Sequence, residues 1–152
     1  MVTGTHGVVV AQGGRFGGWS LYLVHGVPHY AYNFVGRDLT VVRGGKPMAP
    51  GRHDLVVRFE YDGGPPGSGA NVTLEVDGTP VGNGRIPVTT AYYFSFDETF
   101  NIGVDRGTPV VDDYLPVRNR FEGLIHRVHF DLGPVSEAVA HEERARAHLT
   151  HQ

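Results

Sequence analysis

Residues Leu55-Val-Val-Arg-Phe-Glu-Tyr61 are the clearest indication of the fold class, because apolar side chains recur at every second position. Its odd-numbered residues are apolar or aromatic and fall on one face: Leu55, Val57, Phe59 and Tyr61. Its even-numbered residues include Arg58 and Glu60. Successive side chains of a β-strand point to opposite sides of a sheet, so the stretch is predicted to be a strand with one buried and one hydrated face.

The next stretch, Val72-Thr-Leu-Glu-Val-Asp-Gly78, has the same period and ends in a turn signal. Asp-Gly after an alternating run is a strong indication of a tight hairpin. The return strand is predicted over residues 80–86, where Gly82 and Gly84 indicate a bulge or a close backbone approach.

Short alternating or apolar segments extend this pattern over most of the chain, and they are predicted to be strands: residues 7–12, 19–24, 30–34, 39–42 and 121–132. In the last segment the alternation slips between Ile125 and Val128, which predicts a bulge. Antiparallel strands without intervening helices predict an all-β, two-sheet antiparallel β-sandwich of the jelly-roll or concanavalin A-like kind.

Only the C-terminal tail changes period. Pro134 suits the first turn of a helix, and Ser136-Glu137 suits its cap. We therefore expect a β-sandwich domain over residues 1–133 and a short helical tail over residues 134–152.

Composition excludes several functional classes. The net charge of -3 and the absence of a Lys/Arg run argue against nucleic acid as a partner. No apolar run is long enough to span a bilayer, so no membrane association is predicted. The N-terminus lacks a basic region followed by an apolar one, which favours a cytoplasmic location. The lack of cysteine excludes disulfides and thiolate chemistry.

Residues 94–114 form an acidic stretch that concentrates five carboxylates: Asp97, Glu98, Asp105, Asp112 and Asp113. Ca²⁺ binds several oxygen ligands, and a loop that gathers carboxylates is able to supply them. The four aspartates, Asp97, Asp105, Asp112 and Asp113, are therefore candidate calcium ligands. The alternative is that they cap turns and stay solvated, because aspartate favours turns.

Aromatic residues offer a second kind of candidate site, a platform on which a sugar would stack: Trp19, Tyr22, Tyr30, Tyr32, Tyr92, Tyr93 and Tyr114. The alternative places most of these rings in the core, with the polar group at its edge.

Four motifs, in order along the chain, resemble the C-terminal domain of bacterial arylsulfatase-type sulfatases, and the resemblance runs over about residues 7–132. They are Gly13-Gly-Arg-Phe-Gly-Gly-Trp-Ser-Leu-Tyr-Leu23, Val72-Thr-Leu-Glu-Val-Asp-Gly78, Gly84-Arg-Ile-Pro87 and Asp97-Glu-Thr-Phe-Asn-Ile-Gly-Val-Asp-Arg-Gly-Thr-Pro-Val110. The second motif and the last predicted strand are also similar to concanavalin/laminin-G-type sandwiches. The fourth motif departs from the family at Asn101 and Arg106.

The resemblance implies an accessory domain without the catalytic domain. Those sulfatases use a formylglycine made from the first residue of a Cys/Ser-x-Pro/Ala-x-Arg motif. This chain has no cysteine, and no serine is followed by both required residues, so we predict no enzymatic activity of its own. The implied partner is a sulfatase catalytic domain or chain, contacted through residues 94–114. Candidate ligand or interface residues are Trp19, Tyr22, Glu98, Arg106 and Tyr114.

A carbohydrate-binding, lectin-like module, with or without Ca²⁺, is the alternative on the same scaffold. An autonomous hydrolase using Glu60 or Glu75 is less well supported, because paired catalytic carboxylates need set separations that no motif indicates. An exposed apolar patch with a polar rim would favour docking. A concave face with two exposed aromatic residues would favour sugar binding.

Overall fold

Two antiparallel sheets face each other in the computed structural model, which describes residues 4–65, 67–90 and 100–131. The two-sheet antiparallel β-sandwich predicted from the sequence is confirmed. The predicted C-terminal helix over residues 134–152 lies outside the described residues. The larger sheet has the order β4-β3-β2-β1-β8 and the smaller the order β5-β6-β7. The strands are β1 (Gly7–Gly14), β2 (Gly17–Val24), β3 (Val27–Phe34), β4 (Asp38–Arg43), β5 (Leu55–Tyr61), β6 (Ala70–Val76), β7 (Thr79–Ile86) and β8 (Phe100–Ile102).

Two hairpins are closed by two-residue turns with positive φ at both central residues. Asp77 and Gly78 have φ values of 50° and 80° between β6 and β7, and His25 and Gly26 have 50° and 76° between β2 and β3. Turns of this kind match the right-handed twist of the flanking strands. The Asp-Gly hairpin predicted from the sequence is therefore confirmed.

The main core lies between the sheets, and nine buried residues form it: Val10, Leu21, Tyr30, Tyr32, Val42, Ala70, Val72, Leu74 and Ile86. The glycines of β7 allow it to approach β4. A Cβ at Gly82 would lie 2.4 Å from the Arg43 carbonyl oxygen, and one at Gly84 would lie 2.7 Å from Val42 Cγ2. The predicted close approach is confirmed, and the register between β6 and β7 also shifts, next to Leu74.

The larger sheet is buried on its outer face as well, because loop residues cover it. A second cluster there contains Val8, Ala11, Tyr22, Ala31 and Val111. Val8 and Val10 would share a face in a regular strand, but the register of β1 shifts between them. The bulge sends Val10 to the inter-sheet core and Val8 to the outer cluster.

The prediction of a strand over residues 121–132 is wrong for residues 121–131, which belong to neither sheet. Residue 132 lies outside the described residues. The N–H groups of Phe121 and Glu122 donate instead to the carbonyl oxygens of Gly103 and His6, at 2.9 and 3.0 Å. Alternation shows which side chains share a face, but a strand also needs a neighbouring edge to bond with. The slip between Ile125 and Val128 is therefore no bulge in this structure. Over the same described ranges, no helix is long and apolar enough to cross a membrane.

A charged contact supports the β6–β7 turn. The carboxylate of Asp77 accepts hydrogen bonds from the Asp54 N–H at 2.9 Å and from His53 Nδ1 at 2.6 Å. His53 Nε2 lies 2.6 Å from the Ala49 carbonyl oxygen. Carboxylate and carbonyl oxygens only accept, so both hydrogen bonds form together only when both ring nitrogens carry a proton. The Asp77 hydrogen bond, followed by that of Ala49, raises the pKa of His53.

We expect His53→Gln to destabilise the protein more at pH 6 than at pH 8. A histidine with a raised folded pKa contributes stability that is fully present below its unfolded pKa of about 6.5 and is lost as the pH rises through the folded value. Thermal melts of the wild type and the variant at several pH values measure the difference. His126→Gln, a change at an exposed histidine, is the control. A difference that widens toward pH 8 would contradict this assignment.

Candidate interface at the loop end of the larger sheet

The outer face of the larger sheet is covered by residues 103–119, which we call the cover loop. Val110 and Val111 of this loop are buried, and Val111 packs in the outer cluster. Both ends of the loop bond to β1. Gly103 N–H donates to the Val9 carbonyl oxygen at 2.7 Å, and Val8 N–H donates to the Asn119 carbonyl oxygen at 2.8 Å. The loop therefore forms an additional layer on the outer face of the larger sheet.

Asp105 is the inner anchor of the cover loop and is only 1% exposed. Its Oδ2 accepts from the Tyr114 hydroxyl at 2.5 Å and from the Val110 N–H at 3.1 Å. The Asn119 side chain accepts from the Asp105 N–H and donates to its carbonyl oxygen, both at 2.8 Å. The Asp-x-Gly-Thr-Pro-Val motif thus forms a turn, in which the side chain of its first residue, Asp105, accepts from the N–H of its last residue, Val110.

A second polar contact joins the loop to β2. The Tyr22 hydroxyl donates to Asp113 Oδ2 at 2.5 Å, and the Tyr22 ring lies 5.1 Å from the His29 ring and 5.2 Å from the Tyr114 ring. Burial, reinforced by the neighbouring carboxylates Asp113 and Asp105, raises the pKa of Tyr22 and of Tyr114 above the ordinary value. Burial lowers the pKa of His29. Both phenols therefore stay neutral donors that position the loop.

Asn33 at the end of β3 ties three segments together. Its Nδ2 donates to the Arg15 and Val110 carbonyl oxygens, both at 3.0 Å, and its Oδ1 accepts from the Gly36 N–H at 2.8 Å. The β1–β2 turn, the β3–β4 turn and the cover loop therefore meet at one end of the larger sheet. We call this the loop end.

Two apolar residues, Phe16 and Val35, are exposed at the loop end, and we call them the apolar tip. Phe16 is 69% exposed and Val35 is 42% exposed. Their turns are adjacent, since a Cβ at Gly17 would lie 3.7 Å from Val35 Cα. Beside the tip, Arg15 N–H donates to Thr108 Oγ1 at 3.0 Å. Charged residues also lie in these turns and in the adjoining loop: Arg15, Arg37, Asp38 and Asp112.

Val35 also has a strained backbone. Its φ of 44° lies in the left-handed region, which a β-branched residue rarely occupies. Asparagine, aspartate or glycine would adopt this conformation with less strain. His25 and Asp77 have similar φ values of 50° in two other turns, but neither of them is β-branched.

The candidate calcium ligands are engaged by different partners. Asp105 accepts from Tyr114, Asp113 accepts from Tyr22, and the exposed Asp112 forms an ion pair with Arg15 at 3.4 Å. Residues 4–65, 67–90 and 100–131 contain no group of three or more His, Cys, Asp or Glu side chains able to hold a metal. Asp97 lies outside these ranges, as does Glu98, so calcium binding stays a prediction.

Three of the seven candidate aromatic residues are buried in the described part of the chain. Tyr22, Tyr30 and Tyr32 are at most 5% exposed. Trp19 is half-buried, and its Nε1 donates to Gln12 Oε1 at 3.1 Å. Tyr114 is half-buried under the cover loop, and Arg106 is exposed on it. Tyr92 and Tyr93 fall in a segment that the structure does not describe.

The apolar tip and the role of Asn33 were not predicted from the sequence. The sequence does contain one local indication of the turn at Val35-Gly36. In the two other turns with positive φ, His25-Gly26 and Asp77-Gly78, a non-glycine residue is likewise followed by glycine. Phe16 was part of a predicted loop. Its exposure depends on long-range contacts that no local pattern reports.

Comparisons with protein-family models, with curated proteins and with solved structures found no match for this chain. The resemblance to arylsulfatase C-terminal domains therefore rests on the sequence motifs and stays a prediction. The fold and the geometry of the loop end are established without it.

We expect Asn119→Ala to destabilise the protein by about 2–3 kcal/mol, because the buried N–H and carbonyl oxygen of Asp105 would lose the hydrogen bonds that they make with the Asn119 side chain. Tyr22→Phe should cost only about 1 kcal/mol, since the exposed Asp113 carboxylate regains water. Urea denaturation of both variants measures the two costs. The reverse order would contradict the role of Asn119 as the buried support of the loop.

Proposed function

We propose that this chain is a non-catalytic docking domain that packs, through its loop end, on the catalytic domain or chain of a sulfatase-type hydrolase. The observation that carries the proposal is the apolar tip, where Phe16 and Val35 are exposed beside the cover loop among charged residues. Apolar residues surrounded by a polar rim are typical of protein–protein contacts.

The strain at Val35 supports a binding role for the tip. A left-handed conformation costs an L-residue about 1–2 kcal/mol relative to the right-handed one. The exposed Val35 side chain recovers little of this through packing within the chain, since 42% of the residue remains accessible. A partner surface that covers both tip residues would bury the exposed apolar area and account for the valine.

The tip is also preorganised, which favours binding. Asn33 holds both turns and the cover loop at 2.8–3.0 Å. A surface that is already ordered loses less conformational entropy on association. The mixed charges around the tip would fix the orientation of the partner more than they would add affinity.

Two of the four motifs behind the sulfatase resemblance meet at the loop end. The Gly13–Leu23 motif contains the turn that exposes Phe16, and the Asp97–Val110 motif contributes Thr108, which bonds to that turn at 3.0 Å. This juxtaposition supports a shared contact surface in the two kinds of domain. The burial of Tyr22, Tyr30 and Tyr32 removes three of the candidate sugar-stacking residues.

We expect Phe16→Ser to weaken binding to a sulfatase catalytic domain, produced without its own C-terminal domain, by at least about tenfold, which is about 1.4 kcal/mol. Titration calorimetry measures the affinity, and thermal melts check that the fold is unchanged. Val117→Ser is the matched control, because Val117 is 92% exposed and is not a tip residue. Equal affinities for the two variants, or no binding by the wild type, would contradict the proposal. Glycan binding that survives Phe16→Ser would support the lectin-like alternative.

Val35→Asn should separate stability from binding. Because asparagine tolerates the left-handed conformation, we expect the free energy of unfolding to rise by about 1 kcal/mol. The same substitution should weaken docking, since it removes an apolar contact. Urea denaturation and calorimetry on one preparation measure both quantities. A destabilised Val35→Asn variant would show that the valine is needed by the fold itself.

A further inference from the structure

A cavity of about 2260 Å³ lies between the two sheets on the side of β5. It exceeds the 300–1,000 Å³ that is usual for a small-molecule site. Its walls come from the larger sheet, from β5 and from residues 121–131. The charged residues that line it have both signs, so they select neither an anion nor a cation: Arg52, Arg58, Arg127, Asp54, Glu60, Glu122 and Asp131.

In the part of the chain that the structure describes, β5 is hydrogen-bonded to β6 alone. The Asp54 carbonyl oxygen and the Asp62 N–H both bond to the β6 side, at 2.9 Å. The backbone N–H and C=O groups of successive residues point to alternate sides of a strand. The backbone groups of the even-numbered residues of β5 therefore point toward β6. The N–H groups of Val57 and Phe59 consequently point to the open edge. Open edges with apolar side chains are prone to pair with another strand.

Residues 125–131, which we call the strap, line the same cavity opposite β5. Its side chains alternate, with Val128 and Phe130 in one set and Arg127 and His129 in the other. The Phe130 ring already lies 6.3 Å from the Trp19 ring and 5.6 Å from the Phe100 ring.

We propose that the strap closes onto the open edge of β5 as the fourth strand of the smaller sheet. Closure would satisfy the outward N–H groups of β5 and cover Phe59 and Tyr61, each of which is 41% exposed. It would turn Val128 and Phe130 toward the larger sheet and place Arg127 on the hydrated face that carries Glu60. The bonds of Phe121 and Glu122 to Gly103 and His6 fix the point from which the strap moves. The arrangement of residues 4–65, 67–90 and 100–131 described above corresponds to the state before closure in this proposal.

Amide hydrogen exchange followed by NMR on the full chain tests this closure. We expect the Val57 and Phe59 amides to exchange at least about tenfold more slowly in the wild type than in Arg127→Pro or Val128→Pro. Residues 127 and 128 are adjacent, so the N–H of one of them must point at β5 whichever way the strap pairs. One of the two proline substitutions therefore removes an N–H that bonds to β5. Arg127→Ala is the control that retains the N–H. The Arg58 and Glu60 amides bond to β6 and should keep their protection in every variant.

Three results would overturn the proposal. The first is free exchange of the Val57 and Phe59 amides in the wild type, and the second is equal protection in the wild type and both proline variants. The third is protection that depends on protein concentration, which would assign the added strand to a second copy of the chain. If the proline variants unfold, the test is whether the wild type shows nuclear Overhauser contacts between the amides of β5 and those of the strap. The absence of these contacts would refute closure.

Discussion

The hydrogen bonds of the Asp105 carboxylate hold the cover loop, and the arrangement of the loop end depends on them. A carboxylate that is 1% exposed must be compensated by donors, because burying an uncompensated charge costs several kcal/mol. Tyr114 and the Val110 N–H supply that compensation from within the loop. The apolar side of the loop can then lie on the outer face of the larger sheet, which would otherwise expose Ala11 and Ala31 to water.

The loop end follows from this anchoring. Once Val110 is fixed, its carbonyl oxygen accepts from Asn33, and Asn33 also bonds to both neighbouring turns. The turns are left with little freedom, and Phe16 and Val35 remain exposed. The hydrogen bonds of Asn33 thus hold the loop end from beneath, while the side chains of Phe16 and Val35 make few contacts within the chain.

Much of the fold was predictable because its information is local. The alternation over residues 55–61 and the Asp77-Gly78 turn identified β5 and the β6–β7 hairpin, and Gly82 and Gly84 indicated the close approach to β4. The alternation over residues 121–131 gave a wrong strand, since a local period does not show whether a strand edge lies within hydrogen-bonding distance. For Asp105 the sequence left both a turn cap and a calcium ligand open, because the two have the same sequence pattern, and it did not indicate that the carboxylate would be buried rather than solvated.

If this domain docks through its loop end, as we propose, a partner should protect that surface from solvent. Hydrogen–deuterium exchange tests this on the chain alone and in the presence of a sulfatase catalytic domain lacking its own C-terminal domain. We expect slower exchange in the complex over residues 14–17 and 34–37, with no change over residues 115–118, where Val117 is exposed. Slower exchange confined to β5 and the strap, or no slower exchange at all, would show that the loop end is not the docking surface.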